Sequence, residues 1–229
     1  MASCLSGRLA AVEARIAAAC ARAGRARQDV RLVGVTKGKD ASVVRAGVAA
    51  GLRCFGENYA QEWTAKRAAL ADVGGIEWHF IGRIQRNKAA MVAAADLVHS
   101  VADARVARAL DAAGVRRGVP VSLLIQVNLD DETTKDGVAP AELPELVRTV
   151  RAYEGLRLVG LMAIPAVAAP ERVRSRFRAL RELRDRQDDA AGLRELSMGM
   201  SGDFEVAIEE GATLVRIGTA IFGSRERTT

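Results

Sequence analysis

From residue 31 to near the C-terminus the sequence keeps one rhythm: a short apolar, β-branched run, then an amphipathic stretch. The runs predict strands at 31–36 (RLVGVT), 53–55 (RCF), 77–81 (EWHFI), 97–100 (LVHS), 121–127 (VSLLIQV), 156–163 (LRLVGLMA), 194–197 (RELS) and 213–217 (TLVRI). The intervals between most of them suit helices. Strands separated by helices pair in parallel, because each crossover brings the chain back to run in the same direction. Eight such strands suit closure into a (β/α)8 barrel, and 229 residues fits its size. An open doubly wound sheet is the alternative reading of the same rhythm.

The helices carry their own signals. Leu5, Leu9, Val12, Ile16 and Ala19 recur on one helical face, giving an extra helix ahead of the first strand, with Gly24 as its stop. Asp40 suits an N-cap and Gly51 a C′ glycine around Val43, Val44 and Val48. Further helices are expected over 141–153 and 170–188, with a last one starting after Ser201 and stopping at Gly211. No composition break or Pro/Ser-rich linker divides the chain, so residues 1–229 are expected to form one domain.

Composition narrows the function classes. About half the residues are hydrophobic (49%), enough for a substantial core. The net charge of +6 suits an anionic ligand or mere solubility, and the basic residues are scattered among acidic ones, so nucleic acid is not the expected partner. Cys4, Cys20 and Cys54 make an odd count without a CxxC pair, which argues against a disulfide framework or zinc site and fits a reducing compartment. His79 and His99 are too few for a histidine-rich metal centre. No signal peptide and no apolar stretch of membrane-spanning length is read, so a soluble cytoplasmic protein is expected.

Two stretches point to chemistry. In RLVGVTKGKD a strand ends on Lys37, at the rim where barrels of this kind carry their chemistry. A lysine shielded there has its charged form disfavoured, and a neutral amine attacks aldehydes; the plain alternative is a lysine that snorkels to water. In LSMGMSGDFEVAIEEGATLVRIGTAIFG, glycine turns follow the last two strands, at Gly199-Met200-Ser201 and at Gly218-Thr219. Glycine lets backbone N–H groups approach a phosphate, and this is the recurrent phosphate position of barrels. Arg216 lies within the last strand; pointing inward, it needs an acceptor, and a heterocyclic nitrogen would serve. An aldehyde carrying a phosphate and an aromatic nitrogen satisfies all three features, and pyridoxal 5′-phosphate (PLP) is such a molecule.

The motifs VGVTKGK, FGENYAQE, WHFIGRIQRNK, VNLDDETTKDGV, GLMAIP and the 196–223 stretch, in this order, cover most of the chain. By them the sequence resembles the pyridoxal phosphate homeostasis protein family. The resemblance implies a barrel of the alanine racemase N-terminal-domain type that holds PLP as an aldimine. Lys37 matches the Schiff-base lysine. Met200, Ser201, Gly218 and Thr219, with Gly199 alongside, fall in the phosphate motifs. Arg216 matches the arginine that faces the pyridine nitrogen, and Asn58 lies near the ring in the FGEN motif. His79, Ile81 and Met162 are expected at strand ends lining the pocket. Lys135 matches an alternative PLP-handling lysine in the loop after the fifth strand. The sequence departs from the family at Arg83 and Arg86, where Pro and Ser are more frequent, and at Gly38 and Asp40 beside Lys37.

PLP binding alone does not make an enzyme. A racemase needs acid and base groups on both faces of the reacting carbon. Racemases of this class add a second, β-rich domain and a tyrosine across the cofactor. Neither Tyr59, expected on a helix after FGEN, nor Tyr153 at a helix end is an evident second base. The expected function is therefore PLP (vitamin B6) homeostasis, as a monomeric carrier that buffers PLP and supplies apo PLP-dependent enzymes. The alternatives are a low-activity PLP-dependent amino-acid racemase or lyase, and a Schiff-base aldolase that takes a phosphosugar without PLP.

Overall fold

The computed structural model describes residues 2–130, 136–166, 168–188 and 190–223. The strands are β1 (Arg31–Val35), β2 (Cys54–Glu57), β3 (Glu77–Phe80), β4 (Leu97–Val101), β5 (Val121–Gln126), β6 (Leu156–Met162), β7 (Glu195–Ser197) and β8 (Leu214–Ile217). They close in sequence order into a parallel barrel, with β8 hydrogen-bonded to β1 in the register Val33 opposite Arg216. The expected barrel is thus the one formed, and the open sheet is excluded.

Nine helices accompany the strands among the described residues: α1 (Ala2–Arg22), α2 (Ala41–Ala49), α3 (Ala60–Ala69), α4 (Ala89–Val92), α5 (Ala104–Arg117), α6 (Leu143–Arg151), α7 (Pro170–Asp185), α8 (Phe204–Glu209) and α9 (Thr219–Phe222). Strand alternation divides the core in two. Val33, Cys54, Leu97, Leu124, Met162 and Leu214 fill the barrel interior. The opposite faces pack outward against the helices, which is why the strands read as near-continuous apolar runs.

The extra N-terminal helix α1 buries the predicted face, Leu5, Leu9, Val12, Ile16 and Ala19. It lies against the C-terminal helices. Arg8 Nε donates to Ile221 O (2.6 Å), and Arg15 and Arg22 pair with Glu205 and Glu209. The first helix therefore braces α8 and α9, the two elements that follow the glycine turns.

Several boundaries differ from the sequence reading. β2 runs two residues further, to Glu57, because the polar Gly56-Glu57 pair reads as a turn but is buried in the sheet. A Cβ on Gly56 would meet Val33 Cγ1 at 3.0 Å and Ile81 Cδ1 at 3.1 Å, so a small residue belongs there. The helices expected over 141–153 and 170–188 end earlier, at Arg151 and Asp185. Asp40 occupies the N-cap position of α2 without a side-chain cap bond, while Gly51 takes the left-handed conformation expected of it (φ +99°).

Candidate functional site

β1 leads through the buried Thr36 to the half-buried Lys37. What holds this loop is a polar cluster behind it. Lys66 Nζ, on α3, donates to Thr36 O (2.7 Å), Glu57 Oε1 (2.7 Å) and Glu62 Oε1 (2.6 Å). Thr36 Oγ1 donates to Glu57 Oε1, and the Gly38 N–H donates to Glu62 Oε1 (2.7 Å). The backbone is therefore fixed on both sides of Lys37, at the carbonyl before it and the amide after it. Lys66 and Glu57 are buried (4% and 0% exposed), so these bonds act away from water. Burial pushes the Glu57 carboxyl above its usual range, although its bonds to Lys66 and Thr36 pull the other way. Its Oε2 has no hydrogen-bond partner.

The glycine turns lie at the same end of the barrel. Gly199 has φ +93°, and a Cβ there would meet Ala207 Cβ at 2.6 Å and Phe204 Cα at 2.9 Å, so only glycine fits. The Met200 N–H donates to Asp203 Oδ1 (2.6 Å), which shapes the turn containing Ser201, and burial raises the Asp203 carboxyl. The Arg216 N–H donates to Gly199 O (3.0 Å) and ties this turn to β8. After β8, the N–H groups of Ile221 and Phe222 donate to Gly218 O. Those of Thr219 and Ala220 stand in the first turn of α9, where a helix supplies no acceptor. Lys37 and Lys39 line one pocket together with Val35, Gly218, Thr219 and Gly223. The lysine of the first strand and the glycine turn of the last thus meet, as barrel closure requires of β1 and β8.

Arg216 points into the barrel and is almost fully buried. Its guanidinium donates to Ser197 Oγ and to Ala163 O (3.0 Å), so its acceptors come from β7 and the end of β6. Burial lowers its pKa to about 10.

Asn58 stands at the β2 rim in a neighbouring depression with Tyr59, Arg83 and Lys88, and its Oδ1 is buried without a partner. Gly82 packs under it: a Cβ there would fall 2.0 Å from Asn58 O. Gly82→Ala is expected to displace this rim and to cost about 1–3 kcal/mol, read as a lower denaturant midpoint. Arg83 is exposed and faces Asp136 at 3.5 Å; Arg86 is exposed as well. Ile81 and Met162 are buried.

Two expectations are corrected. His79 lies in the barrel interior, fully buried and bonded to Glu77 and His99, instead of at a pocket-lining strand end. Tyr59 precedes α3 and is 55% exposed, because the chain is still extended there. Lys135 lies outside the described residues. Sequence reasoning missed Glu57, Glu62 and Lys66. Glu62 and Lys66, four apart, read as a solvated helix pair, and only the charged Glu57 beside a buried-looking Phe-Gly hinted at more.

Comparison with known proteins adds to this geometry. The alanine racemase N-terminal domain family matches residues 8–226. The curated pyridoxal phosphate homeostasis protein of Aquifex aeolicus is 44% identical over 223 residues, covering 96% of this chain and 97% of that protein. The structure of PipY from Synechococcus elongatus with PLP bound superposes with a TM-score of 0.84 at 34% identity, over 96% of this chain and 100% of that one. Alanine racemase from Bartonella henselae shares the fold alone, with a TM-score of 0.72 at 15% identity over 100% of this chain and 61% of that one.

Proposed function

This chain belongs to the pyridoxal phosphate homeostasis protein family, and from that premise we propose that it holds PLP covalently on Lys37 and serves as a carrier and buffer of the cofactor. The observation that carries this reading is the pocket shared by Lys37 and the Gly218-Thr219 turn. It sets an amine beside the backbone donors of a helix start, the two kinds of group that a phosphorylated aldehyde needs at its two ends.

The remaining residues fit the same molecule. Thr219, with the turn at Met200 and Ser201, is suited to the phosphate, and the nearby Lys39 adds positive charge. Arg216 presents a buried cation to an aromatic nitrogen, and Asn58 brings a buried amide oxygen to the rim. When bound, the cofactor supplies the reactive aldehyde; the protein supplies the amine, half-buried at the barrel rim. A cation against the ring nitrogen disfavours protonation there and so weakens the ring as an electron sink. Tyr59 and Tyr153 do not line the Lys37 pocket. These features favour storage and delivery to apo PLP-dependent enzymes, by a monomer, over turnover of amino acids. Among the described residues no helix is long and apolar enough to cross a membrane.

The test is a visible absorption spectrum with added PLP, then borohydride reduction and peptide mapping. A new band and a reduced pyridoxyl group on Lys37 are expected. No band would sink the reading and favour the phosphosugar aldolase. Exchange of Cα deuterium from amino acids at a useful rate would replace the carrier with a racemase.

A further inference from the structure

Beneath Arg216 the barrel interior holds a file of polar side chains. Ser197 Oγ accepts from Arg216 and lies 2.8 Å from His99 Nδ1. His99 Nε2 is 2.9 Å from His79 Nδ1, and His79 Nε2 is 2.9 Å from Glu77 Oε1. Glu77 Oε1 ends the file 2.7 Å from Arg31 Nη1, at the N-terminal ends of the strands. Ser197, His79 and His99 are fully buried. The file therefore crosses the barrel from the Lys37 end to its floor, on β8, β7, β4 and β3. At the floor a pocket of about 590 Å³ opens beside Arg31, Cys54 and Glu77.

The hydrogen bonds have one consistent direction. A carboxylate only accepts, so His79 donates to Glu77 from Nε2; carried back along the file, His79 Nδ1 accepts from His99, and His99 Nδ1 accepts the proton of Ser197 Oγ, whose oxygen accepts from Arg216. His99 then carries its ring proton on Nε2 and donates to His79 Nδ1. His79 carries its proton on Nε2 and donates to the Glu77 carboxylate. Each ring bears one proton, and no two donors or two lone pairs face each other. The opposite direction needs a second proton on His79. The groups facing the two rings include the cations Arg216 and Arg31, the Glu77 carboxylate and the Cys54 thiol. Burial, followed by the nearby His79 ring and Arg216 cation, which resist a second charge between them, holds His99 well below the usual imidazole range. The His79 hydrogen bond holds the Glu77 carboxyl below its own. Donor atoms of Cys54, Glu77 and His79 lie within 4.8 Å of one another, a possible metal trio. However, Arg31 and the His79 ring already share the Glu77 oxygen, which makes Glu77 the terminus of the file.

We propose that Ser197, His99, His79 and Glu77 are positioning residues that fix the orientation and charge of Arg216, and so couple a ring nitrogen held against Arg216 to the Arg31–Glu77 ion pair on the barrel floor. The coupling to a cofactor rests on the proposed function; the hydrogen-bond direction does not.

The chain has two histidines, so ¹⁵N-histidine labelling gives two ring systems to follow. The experiment records long-range ¹H–¹⁵N spectra of the protein, first alone and then with PLP. Expected without PLP are two rings protonated on Nε2, with slowly exchanging protons, and a His99 that stays neutral at pH 5. A proton on His99 Nδ1, or ordinary titration of His99, overturns the relay whether or not PLP binds. With PLP bound, both rings are expected to shift although neither lines the Lys37 pocket. In Ser197→Ala the shift at His79 is expected to be lost while the visible band persists; Ser197→Thr, which keeps the hydroxyl, restores it. Should Ser197→Ala not fold, Glu77→Gln is the second arm, expected to move the pH midpoint of the visible band by about half a unit or more. Bound PLP with unmoved wild-type rings, an undiminished His79 shift in Ser197→Ala, or an unchanged midpoint in Glu77→Gln overturns the proposal. Absence of any band fails the proposed function and the coupling to cofactor, while the ring tautomers still decide the direction of the file.

Discussion

Lys37→Ala is expected to abolish the borohydride-stable pyridoxyl adduct at this position while leaving the thermal midpoint nearly unchanged. The two halves of this prediction have separate causes. The Lys37 loop is held by the Thr36 carbonyl and the Gly38 amide, both bound to the Lys66–Glu62 cluster. The Lys37 side chain is half-buried at the rim, so its removal is expected to change stability by only about 0.5 kcal/mol, as for other substitutions outside a core. The covalent link, by contrast, has one amine at its centre. The glycine turns and Arg216 remain, so PLP still binds, but reversibly and on the order of a hundredfold more weakly, about 2.7 kcal/mol. Lys39 lines the same pocket and is the competing amine. Peptide mapping separates the outcomes: a small residual adduct on Lys39 is compatible with the assignment, whereas an undiminished adduct on any other lysine overturns it.

What the sequence made legible follows from which forces act locally. The barrel was readable because parallel strands buried on both faces leave apolar runs, and because α1 buries one uninterrupted stripe. Lys37 and the two glycine turns were readable because their backbone positions, a strand end and left-handed or crowded turns, restrict residue type at the position itself. The meeting of Lys37 with Gly218 and Thr219 followed from closure of β8 on β1. The polar interior was not legible. His79 and His99 sit in runs that read equally well with histidine at a rim, and their partnership depends on which face of each of two paired strands turns inward. Arg216 was ambiguous for the same reason, since alternation gives two faces but not which one is the interior. Lys66 failed for a different reason. Glu62 and Lys66 have the spacing of a surface pair, and only the tertiary packing of α3 over β1 and β2 buries it.

Lys66 also carries the largest expected effect on stability. Lys66→Met keeps the length and apolar stem of the side chain but removes the donor shared by Thr36 O, Glu57 Oε1 and Glu62 Oε1. Breaking one side of a buried ion pair leaves a charge without a counter-ion and typically costs about 3–5 kcal/mol. For a chain of this size that is a fall of roughly 6–20 °C in the thermal midpoint. The pH dependence follows from Glu57. Burial already raises its carboxyl, and losing Lys66 removes the strongest influence that lowers it. A raised carboxyl pKa means that the folded state holds the proton more tightly than the unfolded one. Its contribution to stability is therefore full below the unfolded value of about 4.3 and is lost as pH rises through the folded value. The deficit of Lys66→Met relative to wild type should be largest at neutral pH and should shrink toward pH 4, where Glu57 can take a proton. Glu57→Gln in the Lys66→Met background removes the stranded charge and should recover much of the loss. A deficit equal at pH 4 and pH 7, or a double variant no more stable than Lys66→Met, would show that the lost packing and not the charge is responsible. The same variants test the link to function: Thr36 O keeps only its bond from the Lys39 N–H, so the carbonyl before Lys37 is held less firmly, and the adduct on Lys37 should form more slowly even where the protein is fully folded.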